Sequence, residues 1–250
     1  MSKINNIVVF GATSAIAFET CKLFANEGKS LTLIARDKEK LDSIKKDLLV
    51  RGAKKIETFH QDLSIIKKHK NLFEKIEDID LLLIAYGILP KQEECNNNFD
   101  IEMNNFQVNF LSTCSILNFY ASYFEKKYLE EEKKAGTIAV ITSVAGDRGR
   151  QSNYSYGAAK GALSIYLQGL RHRLHKYNIN VIDIKPGLVN TPMTKEIKKN
   201  LLFSSPQKVA KLIFNKIKCS NKAVYTPFLW RIIMLVIRNI PERVFLKLKI

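Results

Sequence analysis

The segment Leu81-Leu82-Leu83-Ile84-Ala85 sets five apolar side chains in unbroken succession. Strand side chains point alternately to two faces, so such a run escapes water only when both faces are covered. That is the interior of a parallel sheet with helices on either side. The rest of the chain follows the same plan, with short β-branched runs alternating with longer helical patterns. The pattern predicts strands over residues 6–11, 30–35, 56–60, 81–85, 137–142, 181–184 and 223–225. It predicts helices over 15–26, 38–49, about 101–132 and 154–175, and another between 60 and 81. One more opens at Ser205-Pro206, an N-cap followed by proline at the first helical position. Alternation of this kind means βαβ crossovers. No linker, repeat or low-complexity segment interrupts it. The expected fold is α/β: a single Rossmann-type doubly wound parallel sheet over residues 1–227, then a basic, apolar, helical C-terminal tail over 228–250.

Composition agrees with one packed domain: 250 residues, 46% hydrophobic and 26% charged, exclude a disordered or collagenous chain. Charge is the departure. Lys+Arg number 40 against 24 Asp+Glu, a formal +16, and 13 basic against 2 acidic side chains follow Thr194. Two accounts stand: an anionic partner, or a sequence that uses lysine as its general polar filler. Of anionic partners, nucleic acid lacks any reading helix or aromatic–basic interleaving, and none is expected. Cys21, Cys95, Cys114 and Cys219 stand far apart with no C-x-x-C, which excludes a disulfide scaffold and points to a reducing compartment. No secretory leader is expected, because the apolar run Ile7-Val8-Val9-Phe10 enters a glycine turn at once, and no stretch is long enough to span a bilayer. His172 and His175 lie three apart with no third ligand nearby, so no metal centre is expected.

In such a sheet the first strand-to-helix turn receives a dinucleotide pyrophosphate at a helix N-terminus. Here it reads Gly11-Ala12-Thr13-Ser14-Ala15-Ile16-Ala17, keeping only the first glycine of G-x-G-x-x-G, and a plain turn would look similar. The second strand ends at Ala35-Arg36-Asp37. A guanidinium there suits the 2′-phosphate of NADP(H), so NADPH is favoured over NADH, with Asp37 as the complicating neighbour. Tyr156 and Lys160 fall one helical turn apart on one face, where an ammonium favours phenolate and draws down the phenol pKa. That makes a tyrosine useful in acid–base catalysis. Tyr123 and Lys127 repeat the spacing. Context separates them: Ser143 lies thirteen residues before Tyr156, directly after a predicted buried strand, whereas Phe110 holds that place before Tyr123. Tyr123 reads as a helix-surface residue.

Taken together, these residues resemble the short-chain dehydrogenase/reductase family over nearly the whole chain. The resemblance implies a catalytic set of Asn109, Ser143, Tyr156 and Lys160. It implies cofactor contacts at Gly11, Thr13, Ser14, Ala15, Ile16, Arg36, Asp62, Ala85, Gly87, Pro186, Gly187, Val189 and Thr191, shared with Tyr156 and Lys160. The glycine turn departs from the family pattern at Phe10, Ala15 and Ala17, and Ile84-Ala85-Tyr86-Gly87 keeps little of N-N-A-G. A homodimer through the long helices is a further family expectation.

The strings Gly11–Ala17, Ala85–Pro90, Ser143–Arg150 and Tyr225–Pro227 are similar to one subgroup, the reductases of decaprenylphosphoryl-arabinose synthesis. That similarity implies an NADPH-dependent reduction of a polyprenyl-phosphate-linked 2-keto pentose, delivered by a flavin-dependent oxidase, at the inner face of the cytoplasmic membrane. Two other readings remain open: reduction of a soluble ketone or sugar derivative, and a non-catalytic NADP-binding subunit. Residues 228–240 include ten apolar side chains with Arg231 and Arg238, and Arg243, Lys247 and Lys249 follow Pro241. This is the pattern of an interfacial helix, or of a segment packed on the domain or on a second subunit. Met193, Ile197 and Leu201 recur every four residues as a candidate lid stripe. Arg148 and Arg150, between Ser143 and Tyr156, are candidate holders of a substrate phosphate, or residues of a solvated loop.

Overall fold

The computed structural model describes residues 4–131, 136–218 and 222–248; Cys219, Lys249 and Ile250 lie outside the described residues. Seven strands form one sheet: β1 (Asn6–Phe10), β2 (Ser30–Ala35), β3 (Lys55–His60), β4 (Leu81–Ile84), β5 (Thr137–Ile141), β6 (Asn180–Pro186) and β7 (Ala223–Thr226). Their order is β3-β2-β1-β4-β5-β6-β7 and every neighbouring pair is parallel. The chain winds outward from β1 to β3, then crosses back to β4 and winds the other way. That reversal opens a crevice beyond the carboxyl ends of β1 and β4, where open α/β sheets bind ligands.

The helices are α1 (Ala15–Asn26), α2 (Lys38–Val50), α3 (His69–Phe73), α4 (Gln92–Asn97), α5 (Phe99–Phe106), α6 (Ser112–Glu130), α7 (Tyr154–Leu174), α8 (Pro206–Ile217), α9 (Leu229–Asn239) and α10 (Glu242–Phe245). Alternate strand residues serve the two faces. Ile7, Val9, Leu81, Leu83 and Ile182 pack under α1 and α8, while Val8, Phe10, Leu82, Ile84 and Val140 pack under α6 and α7. The all-apolar run at 81–84 is buried on both sides for that reason. The long helix expected over 101–132 is instead two helices joined by a π-helical turn, Gln107–Leu111, and α4 before them was not expected.

Two segments depart from their expected form. Past a short turn at Pro192–Thr194 no helix forms before α8, so the helical stripe of Met193, Ile197 and Leu201 does not form. All three side chains are exposed, and a stripe without a surface to pack on has nothing to hold it helical. The tail packs on the domain with one face. Trp230 and Met234 of α9 are buried beside Val144, with Leu188, Leu202 and Tyr225 against them. The opposite face leaves Phe228, Leu229, Ile232, Leu235 and Val236 exposed.

Candidate active site

The turn after β1 is built for close approach. Gly11 has φ +85°, and a Cβ there would stand 2.7 Å from the Cβ and amide nitrogen of Tyr86. Only glycine accepts both conditions. Gly11 and Ala12 donate their amides to the Ile34 carbonyl, at 2.9 and 3.1 Å, which sets the turn against β2. Ser14 stands at the N-cap of α1 without its side chain accepting an amide. The first-turn N–H groups of α1 thus carry their partial positive charge toward the crevice, flanked by Thr13, Ala15 and Ile16. At the end of β2, Asp37 caps α2, its carboxylate accepting from Lys40 N at 3.0 Å. The acid that complicated the cofactor reading is thereby engaged in the fold, and the neighbouring Arg36 is exposed. Asp62 is oriented by Ser64, whose amide and hydroxyl donate to Oδ1 at 2.9 and 2.7 Å. Those bonds, with the more distant Arg36 and Lys68 charges, hold its carboxyl below the usual range.

The four expected catalytic residues meet at the ends of β4 and β5. Ser143 follows β5 and opens a 3-10 turn, Val144–Asp147, its Oγ accepting from Ala145 N at 3.1 Å. Tyr156 lies in the first turn of α7. Burial pushes its phenol up to about 12, against the lowering pull of the Ser143 side chain, so it is a retained proton at neutral pH. Lys160 is buried, with Nζ 5.9 Å from the Tyr156 ring centroid and donating to the Ile141 carbonyl at 3.3 Å. Burial draws its ammonium down to about 8, and the charge of Asp183 opposes this. Asn109 sits on the π-helical turn and is fully buried. Its Nδ2 donates to the Ile88 carbonyl at 2.9 Å and to Asn105 Oδ1 at 2.7 Å, and its Oδ1 accepts from Ile88 N at 3.2 Å. The extra residue of a π turn rotates one side chain out of helical register, a device frequent at functional sites.

Residues 5–202 match the short chain dehydrogenase family, well over half of the chain. The chain belongs to the short chain dehydrogenase family. It is 26% identical over 243 residues to an uncharacterised oxidoreductase of Mycobacterium tuberculosis, covering 96% of this chain and 95% of that one. A short chain dehydrogenase from Burkholderia cenocepacia in complex with NADP superimposes with a TM-score of 0.82 at 16% identity, over 98% of this chain and 96% of that one. One from Sphingobium yanoikuyae in complex with NADPH gives 0.80 at 18% identity, over 96% and 97%. The chain is an NAD(P)-dependent oxidoreductase of this family.

The cofactor contacts expected on the far side, Ala85, Gly87, Pro186, Gly187, Val189 and Thr191, lie just after β4 or at and after the end of β6. Ala85 N donates to the Phe10 carbonyl at 2.8 Å, and Gly187 N to Thr226 at 3.1 Å. The Trp230 indole lies where a Gly187 side chain would be, so the tail roofs this edge of the site. Thr191 N donates to Thr194 Oγ1 at 3.2 Å, which fastens the segment at its turn. The cradle at Gly11, the open first turn of α1 and the cation at Arg36 fit a phosphorylated dinucleotide.

Arg148 does not belong to the substrate set. Its guanidinium donates to the Ile237 and Ile240 carbonyls at 2.6 and 2.7 Å and to Glu242 at 2.8 Å, and lies 3.7 Å from the Phe245 ring centroid. It clamps the tail. Arg150 is half-buried, its Nε is without a partner, and burial lowers its pKa. Tyr123 is not a surface residue either: its hydroxyl accepts from Ile79 N at 3.2 Å. Several supporting groups escaped the sequence reading. Tyr86 reaches Ser112 at 2.6 Å and Thr113 at 3.2 Å, tying the end of β4 to the start of α6. Asn105 donates to the Ser155 carbonyl at 2.9 Å and so joins Asn109 to α7. Asp183 and Lys185 were the most legible of these, since charges inside a strand of a parallel sheet must be buried and answered.

Proposed function

We propose that the chain is an NADPH-dependent ketoreductase whose substrate is a 2-keto pentose linked to polyprenyl phosphate, at the inner face of the cytoplasmic membrane. The observation that carries this reading is α9. One face of the helix roofs Gly187 at the site, and the other offers Phe228, Leu229, Ile232, Leu235 and Val236 to the outside beside Arg231 and Arg238. An apolar face with basic neighbours suits an anionic lipid surface. Exposed Met193, Ile197 and Leu201 lie in the segment after Thr191 and would extend that face toward a prenyl chain. Half-buried Arg150, with an unanswered N–H, suits the phosphate of such a substrate. A flavin-dependent oxidase would supply the ketone, and a second copy would pair through α6 and α7.

NADPH, which Gly11, Arg36 and Thr191 would help to hold, would supply the hydride taken up by the carbonyl carbon. The chain does the rest. Tyr156 holds a proton at its phenol oxygen and passes it to the carbonyl oxygen as charge develops there. Ser143 hydrogen-bonds the same oxygen, so the developing charge meets a placed donor. Lys160 stabilises the phenolate left behind, and Asn109 orders the path by which Tyr156 regains a proton from water. Ketone, NADPH and one proton become alcohol and NADP⁺. Arg36 answers the 2′-phosphate, and losing that charge-assisted contact costs about 1.5–3 kcal/mol, or roughly 10- to 150-fold of preference over NADH.

The test follows NADPH oxidation in the presence of anionic vesicles, comparing polyprenyl-phosphoryl 2-keto pentose with the free ketopentose. The reading expects kcat/KM for the lipid-linked ketone to exceed that for the free sugar by at least about tenfold, the margin of one well-made phosphate contact. Equal values would return the chain to a soluble ketone.

A further inference from the structure

The residue before Tyr156 is gripped from outside its own helix. Asn153, at the N-cap of α7, makes no side-chain cap bond. Gln92 of α4 takes over: its Oε1 accepts from Ser155 N at 2.9 Å and its Nε2 donates to Ser155 Oγ at 2.8 Å. Ser155 Oγ donates in turn to Glu102 of α5 at 2.9 Å. The Ser155 carbonyl accepts from Asn105 Nδ2 at 2.9 Å, and Asn105 Oδ1 accepts from Asn109 Nδ2 at 2.7 Å. Asn105 and Asn109 are both fully buried, and Asn109 fastens the loop after β4 through both backbone groups of Ile88. A Cβ on Gly87 would stand 2.5 Å from Asn109 Oδ1 and 3.4 Å from Lys160 Nζ, so the amide and the ammonium meet over that glycine.

We propose that Asn105 is a positioning residue of the proton-transfer site, its single amide fixing Asn109 against the first turn of α7 and so against Tyr156 and Lys160. The proposal rests on the reading of Tyr156 as proton donor with Lys160 and Asn109 beside it. Among the described residues Asn109 makes no direct hydrogen bond to α7; its hold on that helix runs through Asn105. The bridge needs an acceptor toward Asn109 and a donor toward the Ser155 carbonyl, and an amide presents both on one rigid plane. Both ends are answered, so the buried pair adds stiffness where an unpaired amide would add only cost. Three segments are tied by it: the loop after β4, the π-helical turn and the start of α7. Loosening the joint lets Asn109 drift from the phenol and the ammonium, and a shift of about 1 Å at a catalytic centre can cost about 10²-fold in rate.

The experiment follows NADPH oxidation by the full-length chain from about pH 6 to 9. Its ketone is whichever the wild type reduces fastest among free ketopentoses and α-diketones, so the result stands apart from the lipid-linked reading. Tyr156→Phe runs beside the variants, and wild-type turnover there would overturn the acid–base reading and the proposal with it. Asn105→Ala should lose about 10- to 100-fold in kcat at every pH, with KM for NADPH within about twofold of the wild type. Asn105→Asp keeps the shape but rebuilds the bridge only while its carboxyl is protonated, since a carboxylate has nothing to donate to the Ser155 carbonyl. Burial and the Glu102 carboxylate raise that carboxyl above the ordinary aspartate value, Lys160 opposes them, and Gln92 and the Cys95 thiol on α4 bring no charge. Its kcat relative to the wild type should therefore climb as pH falls, by about fivefold or more. Melting curves keep folding apart from positioning: a structural role alone lowers the transition temperature and leaves kcat of the folded protein unchanged. The proposal is overturned by Asn105→Ala within about twofold of wild-type kcat while Tyr156→Phe is inactive, or by Asn105→Asp impaired equally at both ends of the pH range.

Discussion

Two helices packed side by side, α6 and α7, each carry a Tyr-x-x-x-Lys pair, and the two pairs have almost the same shape. Lys127 Nζ lies 6.0 Å from the Tyr123 ring centroid and Lys160 Nζ 5.9 Å from that of Tyr156. Both lysines are buried, at 6% and 4% exposure. What differs is what answers each group. Lys127 donates to Asp78 at 2.9 Å and to the Ile79 carbonyl at 3.0 Å, with Asp80 at 3.7 Å. Burial works against its charge, but Asp78, Tyr123 and Asp80 outweigh it and hold the ammonium above the ordinary lysine value. The Tyr123 hydroxyl accepts a backbone amide, so both members of this pair brace the loop that leads into β4. Lys160 meets one carbonyl and the field of Asp183, and burial wins. Spacing makes the pair; only the partners decide whether it stabilises the fold or is left poised for a proton.

Ranked by effect on folding, the contrast is testable first by removing each lysine. Lys127→Met should cost about 2–3 kcal/mol in urea unfolding, less than a fully buried pair because Asp78 is 67% exposed and rehydrates. Lys160→Met should change unfolding by less than about 1 kcal/mol, since Asp183 keeps Lys185 and Thr142. Equal losses from the two substitutions would erase the distinction.

The pH dependence should carry opposite signs at the two sites. The folded Lys160 titrates near 8 against an ordinary 10.5, so between these values the unfolded chain binds the extra proton and stability rises with pH. Lys127 is raised, so its stabilisation is present below the ordinary lysine value and fades as pH climbs through the folded one. Denaturant midpoints followed from pH 7 to 10 should therefore lose their upward trend in Lys160→Met and keep it in Lys127→Met. In the same range reduction should fall above pH of about 8 as Lys160 loses its charge. The smallest effect is Tyr123→Phe, which gives up one hydrogen bond and about 1 kcal/mol. A loss above about 3 kcal/mol would show that Tyr123 does more than brace Ile79.

The layered fold was legible because a five-residue apolar run and regular β–α alternation admit few architectures. The helix break at 107–111 was not, since apolar periodicity runs on through a π turn that only packing reveals. Asn109 accordingly came from resemblance and not from pattern. Tyr156 could be preferred over Tyr123 because Ser143 follows a strand, a fact of order along the chain. Arg148 was misread for the same reason in reverse: it is close to the site in sequence, yet its long side chain reaches a tail about ninety residues away. The stripe at Met193, Ile197 and Leu201 shows that periodicity without a surface to bury against does not make a helix.

The central claim is that Tyr156, and not its look-alike, passes the proton. The direct measurement is NADPH turnover by Tyr156→Phe and Tyr123→Phe, side by side, with any ketone that the wild type reduces, after cofactor binding has been checked by fluorescence. Tyr156→Phe should bind NADPH as the wild type does and lose about 10²- to 10⁴-fold in kcat, while Tyr123→Phe stays within about twofold. Wild-type turnover by Tyr156→Phe, or its collapse in Tyr123→Phe alone, would contradict the account.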